Sequence, residues 1–170
     1  MADLEAIYRI EQECFTYEAF SRLQLTYFLR SPNFVNLVAV VNGEIAGFIT
    51  GSIEHYGEAA GHIYSIDVKH EFRGRRIGSN LLEAMERNFA EKGARACYLE
   101  VRINNTAAKR LYLKHGYTVV ETLRNYYNLG VHGTGERFIP TAKQKGIGVV
   151  IMKPLSGGIF FRRKDGKITF

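Results

Sequence analysis

The stretch RGRRIGS, residues 73–79, gathers three arginines and two glycines at the head of an amphipathic run. Positive side chains at a helix start add to the positive end of the helix dipole, so the arrangement makes sense only against an anion. A strand leading into this turn would point the free backbone N–H groups of residues 74–79 into the loop, where a pyrophosphate accepts them. Gly74 and Gly78 permit close backbone approach, and Arg73, Arg75 and Arg76 neutralise phosphate from the sides. Neither G-x-x-x-x-G-K-[ST] nor G-x-G-x-x-G is present, so this is not a Walker loop or a dinucleotide fingerprint. The competing reading is a basic helix start that serves solubility alone.

The elements around the loop follow from periodicity. Residues 3–13 set Leu4, Ile7, Tyr8 and Ile10 among charges, which predicts a helix, and residues 19–30 predict a second one ending before Ser31-Pro32. Asn42-Gly43 between two apolar runs signals a hairpin, with strands at 35–41 and 44–53. A polar loop is expected at 54–61, then a strand at 62–68. The helix entered from the anion loop runs over 77–92, with Leu81, Leu82, Met85 and Phe89 on one face and Gly93 as its stop. Strands at 97–103, 117–123 and 149–155 and a short helix at 106–115 complete the pattern. Strand, helix, strand from 62 to 103 requires a crossover and hence a parallel pair, whereas the hairpin is antiparallel. The fold class is therefore α/β, with one mixed central sheet and flanking helices.

The chain of 170 residues, 46% apolar and 12% aromatic, suits one globular domain, taken here as residues 1–155. Residues 156–170 form a C-terminal extension, either a hairpin across Lys164-Asp165-Gly166 or a disordered tail. Residues 128–148 read as a long Gly-containing loop, of a length that is usually functional or mobile. No apolar window approaches a membrane span, and the acidic N-terminus is no secretion signal, so a cytoplasmic protein is expected. Cys14 and Cys97 are too few for a disulfide framework or a zinc cluster, and no metal is expected. The net charge of +6 is concentrated around residues 69–79 and in a small cluster at 162–164. A nucleic-acid-binding module would instead interleave basic and aromatic residues over one surface, so nucleic acid is the weakest reading of this charge.

R-G-R-R-I-G-S after a strand resembles the acetyl-CoA pyrophosphate loop, R/Q-x-x-G-x-G/A, of the GNAT superfamily of N-acetyltransferases. Arg73 and Gly78 match its ends, and Arg76 stands where the pattern has glycine. YLEVRINNTAAKRLYLKHGY, residues 98–117, is similar to the family's L-x-V-x-x-x-N-x-x-A-x-x-L/F-Y-x-x-x-G-F/Y. Leu99, Val101, Asn105, Ala108, Leu111, Tyr112, Gly116 and Tyr117 fall into register with it. Within the superfamily, LEVR-x-x-N and the later ETLRNYY resemble the protein N-terminal acetyltransferases of the RimI type. GHIYSIDV at 61–68 resembles the archaeal branch.

The resemblance implies an enzyme that takes acetyl-CoA and releases CoA, with protein or peptide N-termini as acceptors and possible ribosome association. It assigns Ile66, Asp67 and Val68 at a strand end, the loop Arg73, Gly74, Arg75, Arg76, Ile77, Gly78 and Ser79, and Asn105 and Tyr112 to the cofactor. Tyr112 would also act as general acid, against the plainer reading of a core aromatic. Glu18, His62 and Glu100 compete as general base. The unperturbed pKa of about 6.5 suits histidine to that work at neutral pH. Phe15, Tyr17, Tyr126 and Tyr127 would line the peptide groove. The alternative acceptors are a small amine or a lysine side chain.

Overall fold

In the computed structural model, residues 3–15, 19–56, 58–124, 147–154, 163–164 and 167–168 are described. The chain divides into two compact units, residues 1–97 with 154–170, and residues 98–153.

The first unit opens with α1 (Asp3–Cys14) and α2 (Arg22–Arg30). Ser21 caps α2 and, with Gln24, completes a capping box, which starts the helix three residues later than periodicity predicts. β1 (Phe34–Val41) and β2 (Glu44–Tyr56) are antiparallel, joined by Asn42-Gly43. Both turn residues have positive φ, 51° and 80°, which is why Asn and Gly stand there. β3 (Glu58–Val68) pairs antiparallel with β2 over its whole length. The expected loop at 54–61 is thus corrected to strand: Glu54 pairs with Ala60, His55 with Ala59 and Tyr56 with Glu58. Ladder hydrogen bonds between neighbours outweigh the weak strand propensity of this charged, alanine- and glycine-containing stretch.

One irregularity in β3 decides which side chains share a face of the sheet. Thr50 pairs with Ser65 but Gly51 pairs with Ile63, so Tyr64 is an extra residue, a β-bulge. Directly paired residues share a face. Phe48, Thr50 and Ser52 therefore carry Asp67, Ser65 and His62 on the same side of the sheet. That side is covered by α1 and α2, because Phe48 packs with Ile7, Ile10, Leu25 and Phe28. The opposite side holds α3 (Ile77–Glu91), which packs on β1, β2 and β3. Phe89 of α3 lies over two glycines. A Cβ on Gly61 would sit 2.1 Å from its ring, and one on Gly51 would sit 2.7 Å from it.

The second unit contains β4 (Ala96–Arg102), whose first two residues belong to the first unit, then α4 (Thr106–Lys114), β5 (Thr118–Arg124) and β6 (Ile147–Pro154), whose last residue belongs to the first unit. β5 and β6 are antiparallel, from Thr118 opposite Met152 to Arg124 opposite Ile147, with a register shift between Val119 and Glu121. β7 (Arg163–Lys164) and β8 (Lys167–Ile168) form a short antiparallel ladder in the tail.

Candidate functional site

The anion loop begins where β3 ends. Lys69 donates its backbone N–H to Ala46, and a 3-10 turn at His70–Phe72 follows, anchored by the His70 N–H on the Glu13 carboxylate at 2.8 Å. Arg73 then turns back. Its Nε donates to the Val68 carbonyl at 3.0 Å and its Nη2 to the Cys14 sulfur at 3.3 Å, so it braces the loop against α1 and β3. Arg75 lies over the Phe72 ring at 5.4 Å. Gly74 takes φ 77° and Arg76 takes φ 62°, ψ 9°. The glycine missing from the family pattern is thus missing at a left-handed position, where an L-residue is strained.

α3 starts directly from this turn, with Arg76 as its N-cap residue. No side-chain hydrogen bond caps it, its first turn holds no acid, and its first backbone bond runs from the Asn80 N–H to the Arg76 carbonyl. The amides of Ile77, Gly78 and Ser79 precede that bond, in the orphan positions of a helix start. Exposed Arg75 and Arg76 immediately precede them in the chain. This donor set fits a pyrophosphate.

Two polar clusters lie on the α1–α2 side of β3. His62 and Glu54 form the first, with Nδ1 and Oε1 3.0 Å apart. The Tyr64 hydroxyl donates to the same Oε1 at 2.8 Å, and the His62 and Tyr64 rings lie 4.1 Å apart. The second joins Glu11 of α1 to Ser65 and Asp67. Glu11 is 0% exposed; its Oε1 accepts the Phe20 N–H at 2.9 Å and its Oε2 lies 3.2 Å from the Ser65 hydroxyl. That hydroxyl also stands 2.7 Å from Asp67 Oδ2. One hydroxyl proton serves only one of these two contacts, so a carboxyl must supply the other. Burial first, then the charge of Asp67, pushes the Glu11 carboxyl up to about 8. Burial likewise raises Asp67. Cys14, whose thiol donates to the Val68 carbonyl at 3.7 Å, is pushed up to about 12 by burial and then by the Asp67 charge. It is a thiol held in a hydrogen bond and not a nucleophile.

Of the residues singled out in the sequence, the first unit therefore holds His62, Ile66, Asp67, Val68, the loop 73–79 and Phe15, whose N–H closes the last turn of α1 on Glu11. The Asp67 carboxyl is taken up inside the cluster with Ser65, Glu11 and Cys14. The second unit holds half-buried Glu100 between buried Leu99 and Val101, Asn105, and Tyr112, which is 4% exposed. Asn105 caps α4, its Oδ1 accepting the Ala108 N–H at 3.1 Å, which leaves its amide NH2 as the donating end. The Tyr112 ring stands 5.7 Å from that of Tyr117. Tyr17, Glu18, Tyr126 and Tyr127 lie outside the described residues, as does nearly all of the loop at 128–148.

Sequence patterns alone did not single out Glu54, Tyr64 or Glu11. A signal for Glu11 was present, since it falls on the stripe Ile7, Ile10, Glu11, Cys14, at the helical spacing of a buried face. Glu54 had no such signal, because its pairing with His62 depends on cross-strand register.

Residues 4–117 match the acetyltransferase (GNAT) family. An uncharacterized N-acetyltransferase of Methanocaldococcus jannaschii is 38% identical over 130 residues, covering 75% of this chain and 80% of its own. An N-alpha-acetyltransferase of Sulfurisphaera tokodaii is 39% identical over 101 residues, 53% of this chain and 60% of that one. Among solved structures, Ard1 from Thermoplasma volcanium superposes with a TM-score of 0.72 at 26% identity, over 90% of this chain and 91% of its own. That likeness carries the expected mixed sheet with flanking helices. The uncapped cationic helix start after β3 and the family match across both motifs agree. The chain belongs to the acetyltransferase (GNAT) family, enzymes of acetyl transfer that use acetyl-CoA.

Proposed function

We propose that the enzyme acetylates the α-amino group of protein and peptide N-termini. The observation that carries this is His62, held against a carboxylate within GHIYSIDV, the segment that resembles the archaeal N-terminal acetyltransferases. The relatives named for N-alpha-acetylation support it.

The amides of residues 77–79 with Arg75 and Arg76 hold the pyrophosphate, and Arg73 keeps their turn in place. By the resemblance, the backbone of Ile66 and Val68 would hold the pantetheine arm, and the Asn105 amide is its further candidate donor. Bound acetyl-CoA supplies the acetyl thioester. His62 would take the proton from the acceptor ammonium at Nε2, and Tyr112 would hold on its phenol oxygen the proton that the leaving thiolate requires. The resemblance names Glu100 and Glu18 as the other candidates for the basic step, and Phe15, Tyr17, Tyr126 and Tyr127 as the residues that would meet the acceptor. The setting is the cytoplasm. Association with the ribosome, where new N-termini emerge, belongs to the same reading and is tested by cosedimentation. No helix among the described residues is long and apolar enough to cross a membrane.

Isothermal titration with acetyl-CoA, on the wild type and the Arg73→Ala/Arg75→Ala variant, comes first. Saturable one-site binding that weakens in the variant supports the loop assignment. A peptide library with free and blocked N-termini, each carrying an internal lysine, then decides the acceptor. Acetylation confined to free α-amines supports the proposal, and acetylation of lysine in the blocked peptides refutes it.

A further inference from the structure

Glu54 sits next to the end of β2, diagonal to His62, which pairs directly with Ser52. The side chains of His62 and Glu54 are only 11% and 10% exposed. A carboxylate this far out of water is costly unless donors meet it. Here the His62 Nδ1 and the Tyr64 hydroxyl both reach Oε1, at 3.0 and 2.8 Å. Tyr64 is itself fixed. Its ring packs against Phe28 of α2 at 5.6 Å and Phe34 of β1 at 5.2 Å, and Ser52 makes a long 3.5 Å contact to its hydroxyl. The bulge lets β3 set His62, Tyr64 and Ser65 on the same side, one more side chain than strict alternation allows. Among the described residues, the titratable groups seen to meet His62 are Glu54 from β2 and Tyr64 from β3. α2 and β1 face it with the uncharged rings of Phe28 and Phe34, and α3 faces the other side of β3 with Phe89.

We infer that Glu54, with Tyr64 as its second donor, is the positioning residue for the His62 base. The inference rests on His62 being the base of the proposed reaction. A carboxylate accepting from Nδ1–H selects the tautomer in which Nε2 carries the lone pair, and it fixes the plane of the ring. Its negative charge also favours the imidazolium that forms when Nε2 accepts a proton from the acceptor amine. No electron transfer or covalent step at Glu54 is involved. The proton moves from the substrate nitrogen to Nε2, and Glu54 keeps its charge throughout.

The test has a spectroscopic arm and a kinetic arm. In the first, the His62 ring carbons and protons are followed by NMR against pH in the wild type, Glu54→Gln and Tyr64→Phe, with no cofactor present. Loss of the carboxylate charge in Glu54→Gln is expected to lower the His62 midpoint by about one pH unit or more. Tyr64→Phe removes a competing donor from Oε1 and is expected to raise it. A residue that merely packed would move neither. In the second arm, the acid limb of kcat/KM for a peptide acceptor is expected to shift to lower pH in Glu54→Gln. The plateau of kcat should fall by about 10- to 100-fold, with KM for acetyl-CoA within about twofold and partial rescue by Glu54→Asp. An unmoved His62 midpoint in folded Glu54→Gln overturns the inference. If Glu54→Gln does not fold, a Tyr64→Phe midpoint that stays put or falls overturns it equally. A shifted midpoint in an enzyme that turns over no peptide supports the pairing and refutes the N-terminal acceptor, so the two failures are distinguishable.

Discussion

The buried Glu11 carboxyl makes stability depend on pH in a calculable direction. Its folded-state pKa is raised from 4.5 to about 8. Between those values the folded chain keeps a proton that the unfolded chain has lost. Unfolding therefore releases a proton, and stability falls as pH rises through the window. The contribution is complete below the unfolded value of 4.5 and gone above about 8. Burial moves Asp67 in the same direction, which adds to the trend. At about 1.4 kcal/mol per unit, the Glu11 shift sets a ceiling of ~5 kcal/mol. Relaxation and water entry around the ionised pair reduce it, leaving roughly 2 kcal/mol at alkaline pH. Glu11→Gln copies the protonated acid. Its amide oxygen still accepts the Phe20 N–H, and its nitrogen donates towards Ser65 and Asp67. The variant is expected to match the wild type near pH 5 and to exceed it by about 2 kcal/mol near pH 8.5, a gap of about 4–8 °C in Tm for a chain of this size. Urea unfolding at several pH values, on both proteins in the same buffers, reads the difference directly. Every group outside the Glu11–Asp67 pair titrates alike in the two, so parallel curves would refute the shared-proton assignment.

Three further outcomes can be measured on the same footing. Gly61→Ala drives a Cβ into the Phe89 ring and is expected to cost about 1–3 kcal/mol in urea unfolding, part of it recovered by adding Phe89→Leu; an unchanged midpoint would contradict the close approach of α3. Arg76→Gly releases the left-handed strain and should stabilise the fold by about 1 kcal/mol. Titration of that variant should show acetyl-CoA binding a few-fold more weakly, and tighter binding would remove Arg76 from the phosphate site. Ser21→Ala dismantles the α2 capping box and should cost about 1 kcal/mol of thermal or urea stability.

Most of the frame was legible because each signal was local. Asn42-Gly43 marked the hairpin, the Leu81, Leu82, Met85 and Phe89 stripe marked α3, and the charge at 73–76 marked its unusual start. Residues 54–61 were not legible. Glu54, His55 and Glu58 look like loop chemistry, and only the register with their partners makes them strand. The site divided in the same way. His62 was found through its motif, whereas its partner Glu54 is eight residues away along the chain and meets it through the pairing of β2 with β3. Glu11 was passed over because a count of apolar residues on a helix face takes no notice of a carboxylate standing among them.

The Tyr64 bulge also bears on how this strand tolerates change in length. Ser65 pairs with Thr50 and Ile63 with Gly51, so removing Tyr64 would leave an unbroken two-residue alternation. His62 and Ser65 would keep their partners and the same side of the sheet. A single-codon deletion, ordinarily ruinous in the middle of a strand, would here yield a more regular ladder. What it would take away is the phenol that shares Glu54 with the histidine. The extra residue is thus dispensable to the strand pairing, and what it contributes lies in the polar cluster beside it and in the ring packed on Phe28 and Phe34.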